Sequence, residues 1–425
     1  MSVEIPEDDA NYMYDFIDRI IKDIGPRMPC SKQEAKAADI IQDELKKTCD
    51  EAHIEAFKCH PRAFLGWLPI VVCLILGSAA SFFFLSSINI IFAAALTFGI
   101  VVIAFIILWY EFFNYREFID PLFPKRSSQN VIGTIKAKTS RKRVLLFAGH
   151  HDSALQFNLL AYLKHGYLVL IFLGLVVFFI WFFLTGLNFI SAVFNLGWEA
   201  WLGSWAYRLI VYPGCFYVWP ALIGMLLFVW PGEWANKVPG AVDNLSAVAV
   251  VLGLGRYLHK HRDIIPDDLE IRLISFGCEE AGLRGAYRYA AAHLEELKQL
   301  DSELFNMDSM MSPKHLKILE SEPTTRTRHS KEVVAKIKKA AERVNEPFNT
   351  FGESLLVKIF GSLSGGTDAA AFSKAKLKAA SIMSMSLKKY PLMYHQPSDT
   401  LDQIERGALE QALKIAIGYI LNESV

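Results

Sequence analysis

The sequence predicts an α/β fold, a mixed sheet flanked by helices, interrupted by four inserted transmembrane helices. Two observations predict it. Strand-like apolar runs alternate with helical periodicities at both ends of the chain, and two long blocks, Ala63 to Tyr110 and Gly166 to Trp230, are nearly free of charge. Across the 425 residues the apolar set makes up 52% and charged residues 21%. Soluble domains average about 45–50% and about 25%, so the excess points to a membrane, and its confinement to two blocks leaves an ordinary α/β composition elsewhere.

In the first soluble stretch, Ile17, Ile20, Ile21 and Ile24, then Ala38, Ile41 and Leu45, recur at helical spacing around a Gly25-Pro26-Arg27 turn, which predicts two helices. Ala52 to Cys59 reads as a strand entering the first block. Ala63 to Tyr110 contains no charged residue. A helix crosses a bilayer core with about 20 residues, so two spans fit, hinged at Ser86 to Asn89, with Trp67 and Trp109-Tyr110 at the headgroups.

The second block starts after Lys164-His165. Gly166 to Leu187 predicts a third span, the Trp-rich stretch Asn188 to Ala206 an interfacial segment, and Leu209 to Trp230, with Pro213 and Pro220, a fourth span. Beyond it, Ile271–Phe276 and Ala380–Met385 read as strands, and Leu245–Leu258, Glu332–Val344 and Arg406–Leu421 as helices. The expected division is 1–62, 112–165 and 231–425 for the soluble domain, with 63–111 and 166–230 carrying the helix pairs. An even number of crossings at each insertion returns the chain to one side, so the soluble parts can assemble together, with a site after residue 150 lying near the bilayer.

Forty-four Lys and Arg balance forty-four Asp and Glu, so no net field favours nucleic acid. The lipid bilayer is the expected partner. Basic residues gather at the soluble-domain ends of the spans (Lys58, Arg62, Arg116, Lys125, Arg126, Lys164, Lys237), with Arg208 alone opposite. That asymmetry predicts a cytoplasmic soluble domain. The six cysteines show no CxxC spacing, so neither a disulfide scaffold nor an oxidising compartment is expected. The acidic N-terminal stretch lacks the apolar run of a cleavable signal peptide.

Five short segments bring His, Asp and Glu to strand ends and loops: Gly149-His150-His151-Asp152-Ser153, Gly240-Ala241-Val242-Asp243-Asn244, Cys278-Glu279-Glu280-Ala281-Gly282, Asn306-Met307-Asp308-Ser309 and Tyr394-His395-Gln396. Ligands of α/β sheets collect at the carboxyl ends of strands. Two imidazoles and three carboxylates can hold two divalent ions, and a further carboxylate beside them can move a proton.

These segments resemble, in order along the chain, those of the M28 family of zinc aminopeptidases. GHHDSA resembles that family's HxD motif, which makes His150 a metal ligand and Asp152 the acid that orients a ligand. PGAVDNLSAVAVVL resembles its GAxDNxSG segment, making Asp243 the bridging ligand. SFGCEEAGLRGA implies Glu279 as general base and Glu280 as ligand, FNMDSM supplies Asp308, and PLMYHQPSDTLD supplies His395. The resemblance covers roughly residues 10–60, 128–157 and 232–425. It implies a zinc aminopeptidase-like sheet, two Zn2+ per chain, and hydrolysis at peptide N-termini. Co or Mn suits the same ligands.

The chain departs from the family at Ala247, where Gly is frequent, and at Ser364 to Asp368, a loose match to a Ser-Asp-His segment. His151 competes with His150, and the family register favours His150. Tyr394 is a candidate for stabilising the tetrahedral intermediate or for packing, and Cys278 is expected to be a small buried residue. Alternatives within the same fold are glutaminyl cyclisation with a single zinc, against which the complete ligand set argues, and carboxypeptidase action. A non-catalytic peptidase-like membrane scaffold is a third alternative.

Overall fold

The computed structural model describes residues 3–164, 166–197, 224–229, 232–352, 365–386 and 390–423. The chain divides into two compact units, one built from Met1–Pro61, Pro124–Gln156 and Gly232–Val425 and the other from Arg62–Phe123 and Phe157–Pro231.

The first unit is an eight-stranded mixed sheet. Its strands are β1 (Glu51–Cys59), β2 (Arg126–Ile135), β3 (Arg143–His150), β4 (Leu269–Phe276), β5 (Asp301–Asp308), β6 (Lys317–Leu319), β7 (Asn349–Phe351) and β8 (Lys378–Met383), in the spatial order β1-β2-β4-β3-β5-β8-β6-β7. The central four, β4, β3, β5 and β8, run parallel, whereas β1, β2 and β6 pair antiparallel with neighbours. The centre is covered on both faces. Along β3, Leu145 and Phe147 join the core beneath the helices Glu7–Asp23, Ser246–Lys260 and Ala408–Asn422, while Val144, Leu146 and Ala148 pack on the other side with Ala286, Tyr289 and Phe372. That is the two-residue alternation of a strand buried on both faces.

The helices of this unit follow from sequence-local causes. Glu7–Asp23 opens with three acids and ends near Lys22, matching the helix dipole. Lys32–Lys46 and Lys331–Arg343 begin at Ser31 and Ser330, whose side chains accept the N–H of Glu34 and Val333.

The second unit contains Ala63–Leu85, Ile90–Ile107 and Gly166–Phe194, the last running seven residues beyond the expected end at Leu187. No helix breaker occurs before Asn195 and Gly197, both at positive φ, so Asn188 to Phe194 continues the helix where an interfacial segment was expected. These helices meet through ring pairs such as Phe98–Phe182 and Phe105–Phe178 and through buried polar contacts, with Trp181 Nε1 donating to Ser78 Oγ at 2.9 Å. Their outward sides are apolar, with Phe84, Phe92, Phe172 and Phe183 all more than half exposed. Ala63–Leu85, Ile90–Phe112 and Val169–Phe194 are long and apolar enough to cross a membrane.

A fourth helical stretch meeting the same measure is Ala241–Lys260. It is not the fourth span expected from the sequence. Ala247 through Leu252 lie buried in the α/β core, so its apolarity belongs to that core. The expected fourth span, Leu209–Trp230, lies outside the described residues except for 224–229. Residues 112–123 and 157–164, expected in the soluble domain, fall in the second unit. Phe64 packs on Tyr115, a Cβ on Gly66 would meet the Phe123 ring, and Phe157 packs on Phe228.

Candidate metal centre

The parallel register aligns the carboxyl ends of the central strands. His150 ends β3 opposite Phe276 of β4, and Asp308 ends β5 opposite Met383 of β8. Glu279 and Glu280 follow β4 on a tight turn, and Asp243 sits between the left-handed Gly240 and the helix Ser246–Lys260. A side chain at Gly240 would place its Cβ 2.6 Å from the Asp243 carbonyl, so glycine is required there.

One carboxylate stands between two imidazoles. His150 Nε2 lies 3.2 Å from Asp243 Oδ1, and His395 Nε2 lies 3.6 Å from Asp243 Oδ2. His395 Nε2 is also 3.3 Å from Glu280, and His150 Nε2 is 3.7 Å from Glu279. Donor atoms of His150, Asp243 and Glu280 fall within 4.8 Å of one another, as do those of His150, Glu279 and Asp308. The structure therefore brings His150, Asp243, Glu279, Glu280, Asp308 and His395 into one cluster. Glu279 lies as near to His150 and Asp308 as a ligand would.

Asp152 stands behind this cluster. Its two carboxylate oxygens accept the backbone N–H groups of Glu279 and Glu280, each at 3.0 Å, and Oδ1 is 3.4 Å from His150 Nδ1. His151 turns elsewhere. Its Nδ1 lies 2.9 Å from Ser275 Oγ, and burial lowers its pKa to about 4. Tyr394 stacks on His395. Cys278 is fully buried, but it touches two other cysteines.

Three supporting residues were not singled out in the sequence, and a fourth, Asp368, stood there only as the end of a segment loosely matching the family. Arg27 is fully buried and donates to the carbonyls of Gly25, His151, Pro239 and Gly240, while its N–H meets Ser153 Oγ, so it ties the Gly-Pro-Arg turn to two site loops. Asp399 accepts the N–H groups of Val242 and Asp243. Its signal was its place four residues after His395 in the matched segment. Glu34 bridges Cys30, Ser128 and Cys278, with nothing local to mark it. Asp368 opens the helix Asp368–Lys374, and neither buried carboxylate oxygen has a hydrogen-bond partner.

The donor chemistry fits divalent cations. Burial and then the Asp243 charge push Asp308 up to about 7 and Asp399 up to about 8. Burial and the nearby carboxylates raise Glu279, Glu280 and Asp368 well above the usual range. At Asp243 burial acts upward too, but the hydrogen bonds from His150 and His395 outweigh it and hold the group low. Packed carboxylates that lack cations are forced towards protonation. Divalent ions relieve that repulsion and satisfy Glu280 Oε1, which is buried without a hydrogen-bond partner.

Asp243, Glu279, Glu280, Asp308 and His395 line a cavity whose apolar wall includes Leu319, Phe351, Met383 and Met385, with Glu322 and Tyr394 also lining it.

Residues 229–420 match the family model described as peptidase family M28. Aminopeptidase YwaD of Bacillus subtilis (strain 168) is 32% identical over 181 residues, covering 41% of this chain and 35% of that protein, so the match spans about a third of the relative's length. In fold the chain is similar to a zinc aminopeptidase of Bacillus subtilis (TM-score 0.54, 15% identity, 99% and 96% of the two chains) and an aminopeptidase from Aneurinibacillus sp. strain AM-1 (0.53, 16%, 98% and 93%). A glutaminyl cyclase from an Acidobacteriales bacterium shares the fold at TM-score 0.52 and 14% identity, covering 97% and 93%. The family match covers Asp243, Glu279, Glu280, Asp308 and His395, and the sheet that presents them is similar in fold to that of the zinc aminopeptidases, so residues 229–420 are similar in sequence to peptidase family M28.

Proposed function

We propose that the chain is a membrane-anchored exopeptidase, an aminopeptidase that removes N-terminal residues from peptides with the help of two zinc ions. The observation that carries this reading is Asp243, whose two oxygens face His150 and His395 separately, as a carboxylate shared between two cations would. In it, His150, Asp243, Glu280, Asp308 and His395 hold the metals. When bound, the metals supply Lewis-acid polarisation of the scissile carbonyl and acidify water. Glu279 takes the proton from the attacking water on its carboxylate and delivers it to the leaving amine, a role supported by its place among the donors, 3.7 Å from His150 Nε2 and close to Asp308. Asp152 fixes the backbone of the Glu279-Glu280 turn and orients His150.

Leu319, Phe351, Met383 and Met385 give the cavity an apolar wall, which favours a peptide with a hydrophobic N-terminal side chain. The apolar helices anchor the chain in a bilayer, and the Lys and Arg bias at the soluble-domain ends of the spans supports a cytoplasmic catalytic unit.

The test compares Glu279→Gln and Asp243→Ala with wild type, measuring zinc per chain and hydrolysis of an unblocked hydrophobic peptide, its N-blocked form and an N-terminal glutaminyl peptide. Glu279→Gln is expected to retain metal and lose at least about 10²- to 10⁴-fold in rate, and Asp243→Ala to lose both. Near-normal turnover by Glu279→Gln would remove it as the base. Cyclisation of the glutaminyl peptide without hydrolysis would replace the peptidase reading.

A further inference from the structure

Three cysteines far apart in sequence meet at one point of the α/β unit. Cys59 ends β1, Cys278 lies two residues past β4, and Cys30 lies between the first two helices. Their sulfurs are 3.4 Å (Cys59 to Cys278), 3.5 Å (Cys30 to Cys59) and 3.8 Å (Cys30 to Cys278) apart. A disulfide needs about 2.05 Å, so all three are thiols. Three thiolates on one tetrahedral metal, with metal–sulfur bonds of about 2.3 Å, stand about 3.8 Å apart along each edge. The observed triangle needs only a slight expansion.

We propose that Cys30, Cys59 and Cys278 form a thiolate site for one thiophilic metal ion, Zn2+ or Cu+, separate from the His/Asp/Glu centre. Three metal–sulfur bonds form, the three S–H protons pass to solvent, and no redox change is involved.

The surroundings are built for such a triangle. Glu34, fully buried, accepts the N–H of Cys30 at 2.8 Å and of Cys278 at 2.9 Å, and Ser128 Oγ donates to it at 2.8 Å. Its oxygens are thus engaged in holding two of the cysteines in place and are not offered as ligands. Cys59 and Cys278 are buried while Cys30 is half-buried, so the Cys30 side is the one from which a fourth ligand such as water would reach the metal. Within the triangle the hydrogen bonds from Cys278 and Cys30 pull the Cys59 thiol below its usual range against its burial, while Cys30 and Cys278 are held above theirs, and the nearby Arg284 and Arg288 cations offset the charge of a thiolate cluster. Soft thiolate donors select Zn2+ and Cu+ over the hard cations that carboxylates prefer. A metal here pins β1 and the segment after the first helix to Cys278, the residue before the Glu279-Glu280 turn.

The experiment uses the full-length protein purified under reductant, exchanged into Co2+ and read in the near ultraviolet, with zinc counted separately. Wild type is expected to show a sulfur-to-cobalt charge-transfer band and to hold one more zinc per chain than Cys30→Ser or Cys59→Ser, both of which lose the band. Cys49→Ser is expected to keep it. Asp243→Ala, which addresses the other centre, is also expected to keep it, so failure there and failure here are read separately. Because the band is measured on wild type, a variant that misfolds does not remove the test. Absence of the band from wild type overturns the proposal, as does a Cys59–Cys278 or Cys30–Cys59 disulfide mapped in protein alkylated before purification. Displacement of a single zinc by one equivalent of Cu+ supports it, with copper as the preferred ion.

Discussion

The carboxylate of Asp152 accepts the backbone N–H of Glu279 at 3.0 Å, so the residue proposed as base is positioned through its main chain by an acid more than a hundred positions earlier. The second oxygen does the same for Glu280. Asp152→Asn replaces one of these acceptors with an amide that donates. The expected outcome is a loss of metal affinity of about 10- to 100-fold, with kcat falling more than KM. Zinc-buffer titration and steady-state kinetics check it, and unchanged values for both would remove Asp152 as a positioning residue.

Close approach of the β3 end to the helix Ser246–Lys260 makes Gly149 sensitive to a single methyl. A Cβ there would lie 2.5 Å from Ala247 Cβ and 3.3 Å from the Val248 backbone nitrogen. Gly149→Ala is expected to destabilise by about 1–3 kcal/mol, the usual cost of overpacking. Adding Ala247→Gly removes the nearest clash and should recover part of the loss. Thermal unfolding in detergent reads both, and strict additivity of the two changes would show that they do not meet.

On the surface of the same unit, His293 lies 2.9 Å from Glu55 and 3.2 Å from Glu296. The hydrogen bond to Glu55 raises the histidine above its ordinary 6.5. A raised folded-state value means that the charged histidine stabilises the fold fully below about 6.5, and the contribution is lost as pH rises through the folded value. Melting temperature is expected to fall across that window in wild type and to fall less in His293→Gln. Identical slopes for the two proteins would dismiss the pair.

Membrane anchoring has its own test. Alkaline carbonate washing should leave the protein in the membrane pellet, because helices such as Ile90–Ile107 expose apolar side chains that water cannot solvate favourably. In vesicles of known orientation, protease should reach the C-terminus from the cytoplasmic face. Release by carbonate would remove the spanning helices, and a protected C-terminus would reverse the orientation.

The sequence by itself determined the elements whose cause is local. The strand over 51–59, the helices near 246–260 and 331–343, and the hinge at 86–89 are legible because periodicity, caps and hydrophobic length act within a few residues. Helix ends were less legible, and the Gly166 helix ran past its expected end until Asn195 and Gly197. The apolar helix Ser246–Lys260 resembles a membrane segment by composition, and only its enclosure by sheet and helices decides otherwise.

The site divides in the same way. The segments holding His150, Asp243, Glu279, Glu280, Asp308 and His395 were recognisable as short motifs, because each motif is contiguous. Asp399 lay within one of those segments, but its task did not, and Arg27, Glu34 and the meeting of Cys30, Cys59 and Cys278 had no such mark, since each acts through partners distant in sequence. A sequence records which donors exist and what lies beside them along the chain. Which buried carboxylate faces which imidazole, and which thiols touch, is decided by strand order and close packing, where displacement by one residue turns a side chain to the opposite face.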